Sequence, residues 1–204
     1  MKLKRIVIFL IIILLIFIIY ILNIDKKVYY VNITDSNNKY NLAIKNNLKK
    51  INKLEMYIDY VDLDYRITDL VNDINNNKEI SINGKKYTIQ NSLIKADLLT
   101  FKIGSNEIKY KINNKDIEGL YNYMDEYLND LEKLFKLIRK YDKEKIVYIN
   151  SVDYNSSYIG EVIKYLNLKI KDLCSDYDIK YIEINNKNNI NIKEKVLKYL
   201  HLTI

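Results

Sequence analysis

Short β-branched and aromatic runs alternating with amphipathic helical segments predict an α/β protein. The expected architecture is a roughly five-stranded parallel sheet with helices on both faces, preceded by one N-terminal transmembrane helix. Three observations carry this. One uncharged apolar run occupies the N-terminus. Five strand-like runs follow, each separated from the next by helical spacing. The chain has 204 residues, of which roughly 180 lie beyond the apolar run, enough for one domain with a substantial core.

Ile6 to Ile24 carries no charge, glycine or proline. At 1.5 Å per residue it spans roughly 28 Å, the thickness of a bilayer's hydrocarbon core. It runs into Asn23-Ile24-Asp25-Lys26-Lys27, without the small-residue cleavage site of a secretory signal. Residues 1–27 are therefore read as an uncleaved anchor and 28–204 as the domain it carries. Lys2, Lys4 and Arg5 precede the span while Lys26 and Lys27 follow it. This bias puts the N-terminus in the cytoplasm and the domain outside a single-pass cell-membrane span.

Val28 to Ile33 reads as the first strand and ends in the polar Thr34-Asp35-Ser36. Leu42 to Leu54 has helical spacing. Met56 to Val61 is a second strand, ending in Asp62-Leu63-Asp64, and Ile67 to Ile74 is helical. Asn83-Gly84, between Ile80-Ser81-Ile82 and Lys86-Tyr87-Thr88, is a two-residue hairpin signal. A short helix at Ile89 to Lys95 precedes a third strand, Leu98 to Ile103, which ends in the polar turn Gly104-Ser105-Asn106-Glu107. Asp116 to Tyr141 is a long amphipathic helix with Leu120, Met124, Leu128, Leu131, Leu134 and Ile138 on its stripe. Lys145 to Ile149 and Ile179 to Ile184 are the remaining strands, with helices at Tyr158 to Cys174 and Ile192 to Leu200.

Composition narrows the chemistry. The chain has one cysteine, Cys174, and one histidine, His201, which excludes an intrachain disulfide and any multi-Cys or multi-His metal centre. Cys174 lies among Leu166, Ile170 and Leu173 and reads as a small buried apolar residue. Asp59, Asp62 and Asp64 lack the glycine and glutamate of a calcium loop and read as a solvated strand end. No metal or other cofactor is expected. Lys and Arg number 33 and Asp and Glu 26, a net charge of +7. The excess is spread along the chain, and its abundance of Lys, Ile, Asn and Tyr fits an AT-rich genome. A nucleic-acid partner, which would require a clustered basic face, is not expected.

In parallel α/β sheets, sites form at the carboxyl ends of strands. A serine nucleophile needs a base within hydrogen-bond reach and N–H donors for the oxyanion. Ser36 follows the first strand, Asn106 the third, and His201 the fifth strand and its helix. A doubly wound strand order brings the three to one edge.

At these residues the sequence resembles the SGNH (GDSL-type) hydrolase family. Val31-Asn32-Ile33-Thr34-Asp35-Ser36 is similar to its first block, with Thr34 at a glycine position. Asp64 to Leu70 is similar to the second block, with Asp64 at another glycine position. Ala96 to Glu107 resembles the third, a strand followed by Gly-x-Asn-Asp, and Tyr199-Leu200-His201-Leu202-Thr203 resembles the block around the catalytic histidine. The resemblance covers residues 28 to 204. It implies a flavodoxin-like three-layer α/β/α fold, with Ser36 as nucleophile and His201 as general base. The Asn106 amide and the Ser36 and Asp64 backbone N–H groups would form the oxyanion hole, with Asp35 and Gly104 in support. Lys198 stands where the family has its acid, and the family's final helix would follow Ile204, where this chain stops.

The expectation is a membrane-anchored serine ester hydrolase acting outside the membrane on the O-acyl esters of a small molecule, glycan or lipid. The alternatives are a catalytically inactive relative serving as a surface binding or scaffolding protein, and a structural membrane protein without a pocket.

Overall fold

The computed structural model describes residues 7–17, 26–36, 39–82, 84–113, 119–150, 157–184 and 189–202. Helix α1, residues 7–17, is apolar throughout, and its side chains stand 47–63% exposed. Among the described residues no helix is long and apolar enough to cross a membrane. The rest of the expected span, residue 6 and residues 18–24, lies outside them.

The domain begins with β1 (Val28–Thr34), α2 (Lys39–Lys50), β2 (Leu54–Val61) and α3 (Ile67–Asn75). A hairpin of β3 (Glu79–Ile82) and β4 (Lys85–Thr88) follows, then α4 (Ile89–Lys95), β5 (Leu98–Lys102) and α5 (Ser105–Asn113). The remainder is α6 (Leu120–Tyr141), β6 (Lys145–Asn150), α7 (Ser157–Asp176), β7 (Lys180–Glu183) and α8 (Asn189–Tyr199). The five strands β2-β1-β5-β6-β7 pair in that order, all parallel. Beside them, β3 and β4 form the hairpin expected at Gly84, whose φ of +76° fits a tight turn.

Alternation along the strands explains the three layers. Tyr29, Val31 and Ile33 face α3, α4, α6 and α7 in a core that also holds Leu99, Phe101, Tyr148, Leu134, Phe135 and Ile170. Val28 and Tyr30 face the other way, onto Tyr40, Ile44 and Leu48 of α2 and Ile192, Val196 and Leu197 of α8. All seven residues of β1 and all five of β5 are buried. This is why both read as continuous runs rather than as alternating ones. Cys174 is buried in the first core, and burial pushes its thiol up.

The chain has only four glycines and ends its helices on other residues. Asn52, Asn77, Asp178 and His201 have φ between 51° and 58°. Each follows a helix whose last carbonyls it closes. For α8, the His201 N–H donates to Lys198 O and the Leu202 N–H to Leu197 O, both at 3.0 Å. The same device at Asn52 stops α2 at Lys50, short of the expected Leu54, and releases the chain into β2.

One expectation is corrected. The polar turn at Gly104-Ser105-Asn106-Glu107 is the entry to α5, whose first turn holds Glu107. The helix expected at Ile192 to Leu200 is α8, which packs against α2.

Candidate active site

Order β2-β1-β5 means that the chain leaves β1 to one side and returns to β5 on the other. The carboxyl ends of β1 and β5 therefore flank a switch point, where α/β sheets open a crevice. Asp35 and Ser36 stand at the end of β1, and Lys102 to Asn106 at the end of β5. Thr34 and Lys102 are register partners.

Asp35 ties the two ends together. Its backbone N–H donates to Lys102 O at 3.0 Å. Its Oδ2 accepts from the Gly104 and Ser105 N–H groups, both at 3.1 Å, and from Ser105 Oγ at 2.7 Å. Asp35 is 2% exposed, and its Oδ1 is buried without a hydrogen-bond partner. Gly104 is needed in this turn. Its φ is +109°, and a Cβ built on it would lie 2.1 Å from the Tyr127 hydroxyl.

Ser36 is held locally by Thr34. Its N–H donates to Thr34 Oγ1 at 3.2 Å, and that hydroxyl donates to Ser36 O at 3.0 Å. The Ser36 hydroxyl oxygen accepts a hydrogen bond from Lys102 Nζ at 2.9 Å. Lys102 is the residue that sequence reasoning missed. It ends the buried Leu98-Leu99-Thr100-Phe101 strand and is 8% exposed. Burial lowers its pKa from the ordinary lysine value; Asp35 opposes that shift and Lys109 adds to it. A charged residue closing a strand covered on both faces was the available signal.

The groups expected as oxyanion donors lie at this edge, and each has an internal acceptor. Asn106 Nδ2 donates to Leu63 O at 2.9 Å and Tyr65 O at 2.8 Å, which fastens α5 to the β2–α3 loop. The Asp64 N–H donates to Asp62 Oδ1 at 3.2 Å. The Ser36 N–H has the Thr34 bond. Glu107, 4% exposed, accepts from the Ile67 N–H at the start of α3, and burial raises its pKa. Asp59 accepts from the side-chain amides of Asn32 and Asn41.

His201 is not at this edge. It is exposed and lines a cavity with Val28, Lys53, Asp97 and Lys145, which stand where β1, β2, β5 and β6 begin. The reason is directional. β7 runs to the carboxyl edge and α8 runs back from it, so a residue just past α8 emerges at the amino edge. The seven residues of β1 separate the two edges by about 20 Å. The structure therefore brings together Ser36, Asp35, Gly104, Asn106 and Asp64, and leaves His201 out.

No protein-family model matches the chain, and no curated protein matches its sequence. Solved structures do share its fold. The acetylxylan esterase Axe2 of Geobacillus stearothermophilus superposes with a TM-score of 0.58 at 12% identity, over 83% of this chain and 79% of the other. The acetyl xylan esterase AlAXEase gives 0.55 at 15% identity over 83% of each chain. An extracellular lipase of Streptomyces rimosus gives 0.52 at 10% identity, over 76% of this chain and 80% of the other.

Proposed function

Since the resemblance to the SGNH hydrolases holds at the level of the fold, we propose that the chain is a membrane-anchored ester hydrolase with Ser36 as its nucleophile. One observation carries this reading: the Ser36 hydroxyl stands at the β1–β5 switch point in contact with a buried amine. Structural neighbours that are esterases and a lipase support ester chemistry. The sequence supports the anchor, and the exposed, wholly apolar α1 is what a lipid-facing helix would present to water. The charge bias around it supports a cytoplasmic N-terminus and an extracytoplasmic domain.

Between glycan and lipid esters, the geometry favours glycans. The anchor joins the domain at Val28, on the amino edge of the sheet, where Lys27, Lys53 and Lys145 stand beside Glu144 and a Lys26–Asp97 ion pair. Ser36 lies at the other end of β1, about 20 Å further on. An O-acyl group on a glycan projecting from the surface reaches that edge more readily than an ester within the bilayer. The acetylxylan esterases among the neighbours support the same substrate class.

The second reading is a catalytically inactive surface protein. The displacement of His201 and the internal bonding of all three expected oxyanion donors favour it. The test is hydrolysis of 4-nitrophenyl acetate and acetylated xylo-oligosaccharides by the full chain in detergent micelles. The proposal expects turnover that Ser36→Ala abolishes. No turnover by folded wild-type protein supports the inactive reading.

A further inference from the structure

The expected histidine is about 20 Å from Ser36, and the chain has no other. A serine hydroxyl at its ordinary pKa is a weak nucleophile and needs a base in contact with it. Among the described residues, the titratable group bonded to Ser36 Oγ is Lys102 Nζ, at 2.9 Å. We propose that Lys102 is the general base of a serine–lysine dyad with Ser36. This deepens the hydrolase reading and rests on it.

The surroundings of Lys102 loosen its hold on the ammonium proton. Lys102 is 8% exposed at the end of a strand covered on both faces, and desolvation disfavours its ammonium form. Asp35, from the β1–α2 turn, is the charge that opposes this; its Oδ2 accepts from two backbone N–H groups and the Ser105 hydroxyl. Lys109, on α5, repels the ammonium form and adds to the depression. Glu107, on the same helix, is directed to the Ile67 N–H and is itself pushed toward its neutral form by burial. Thr34, across the register from Lys102, holds Ser36 through its backbone.

The chemistry balances without a cofactor. Ser36 Oγ bonds to the ester carbon while its proton passes to the neutral Lys102 Nζ, and the carbonyl π pair moves onto oxygen. Collapse of the tetrahedral species breaks the bond to the alcohol oxygen, which leaves with the proton from Lys102. Water then attacks the acyl-serine and gives a proton to Lys102. That proton returns to Ser36 Oγ as the acid departs. The net reaction is ester plus water to acid plus alcohol.

The test is the rate of covalent labelling by a fluorophosphonate, measured against pH on the full chain in micelles. The variants are Lys102→Met, Lys102→Arg, Ser36→Ala and His201→Asn, and thermal melting reports folding. Methionine fills the lysine's volume without a buried amine, so Lys102→Met is expected to melt at or above the wild-type temperature. Its labelling is expected to fall by about 10²- to 10⁴-fold, the usual contribution of a general base. Lys102→Arg keeps a cation that cannot deprotonate, and is expected to lose labelling equally. Wild-type labelling is expected to rise with pH to a plateau whose midpoint lies below the ordinary lysine value, unmoved in His201→Asn. Ser36-dependent labelling that survives in folded Lys102→Met, or a midpoint that disappears in His201→Asn, overturns the dyad and leaves the hydrolase reading standing. No labelling of folded wild-type protein, together with no ester turnover, overturns both.

Discussion

Gly104→Ala tests the turn that holds the candidate site together. Two costs add. At φ +109° an alanine is strained, at about 1–3 kcal/mol. The new methyl would also fall 2.1 Å from Tyr127 Oη and 2.9 Å from Tyr127 Cζ, in a core where overpacking costs about 1–3 kcal/mol. The sum is on the order of 4 kcal/mol, which for a domain of this size lowers the melting temperature by about 10 °C. Because Gly104 is one of the donors to Asp35, the same change loosens Ser36. Far-UV circular dichroism melts of the full chain in micelles measure the first effect. In a Tyr127→Phe background the nearest clash is gone, so the substitution is expected to cost at least about 1 kcal/mol less there. A melting temperature within about 2 °C of wild type, or an equal cost in both backgrounds, refutes this account of the turn.

Asp35→Asn removes the charge that favours the Lys102 ammonium, so the midpoint of the labelling profile is expected to move to lower pH. It also puts an amide group where Asp35 Oδ1 has no partner, at a cost of about 1–3 kcal/mol by urea denaturation. His201→Asn keeps a residue at ease with positive φ after α8, and is expected to leave the melting temperature within about 2 °C and ester turnover unchanged. Asp142, 1% exposed, is pushed up to about 6 by burial. Its folded form binds the proton more tightly than the unfolded chain. Its contribution to stability is therefore complete below about pH 4 and lost as pH rises to about 6, a change on the order of 3 kcal/mol. Carbon-detected NMR titration of its carboxyl is expected to give that midpoint; a midpoint near 4 contradicts it.

Much of the fold was legible because this chain's buried strands are nearly pure signals. β1 and β5 are covered on both faces, so Val28 to Ile33 and Leu98 to Ile103 stand out as mainly apolar runs, broken by Asn32, Thr100 and Lys102. Asn83-Gly84 marked its hairpin, and Asp35, Ser36 and Gly104 to Asn106 meet because the strands they follow are neighbours. Helix α5 was hidden because Gly104-Ser105-Asn106 has turn composition; the three bonds to Asp35 that hold its entry are tertiary. His201 misled for a geometric reason. The helix expected between the fifth strand and His201 returns the chain to the amino edge of the sheet. Eleven helical residues carry the chain about 16 Å back along the sheet. Lys102 was passed over because a lysine at a strand end is ordinarily solvated, and its burial depends on Asp35, Ser36 and α5 converging on it.

The central claim is that the β1–β5 edge presents an activated serine. It is met most directly by reacting the folded full chain with a fluorophosphonate near pH 9 and locating the adduct by peptide mass spectrometry. The account requires one phosphonyl group on the peptide containing Ser36, formed far more slowly in Lys102→Met. An adduct on another residue, or none on protein shown to be folded, contradicts it.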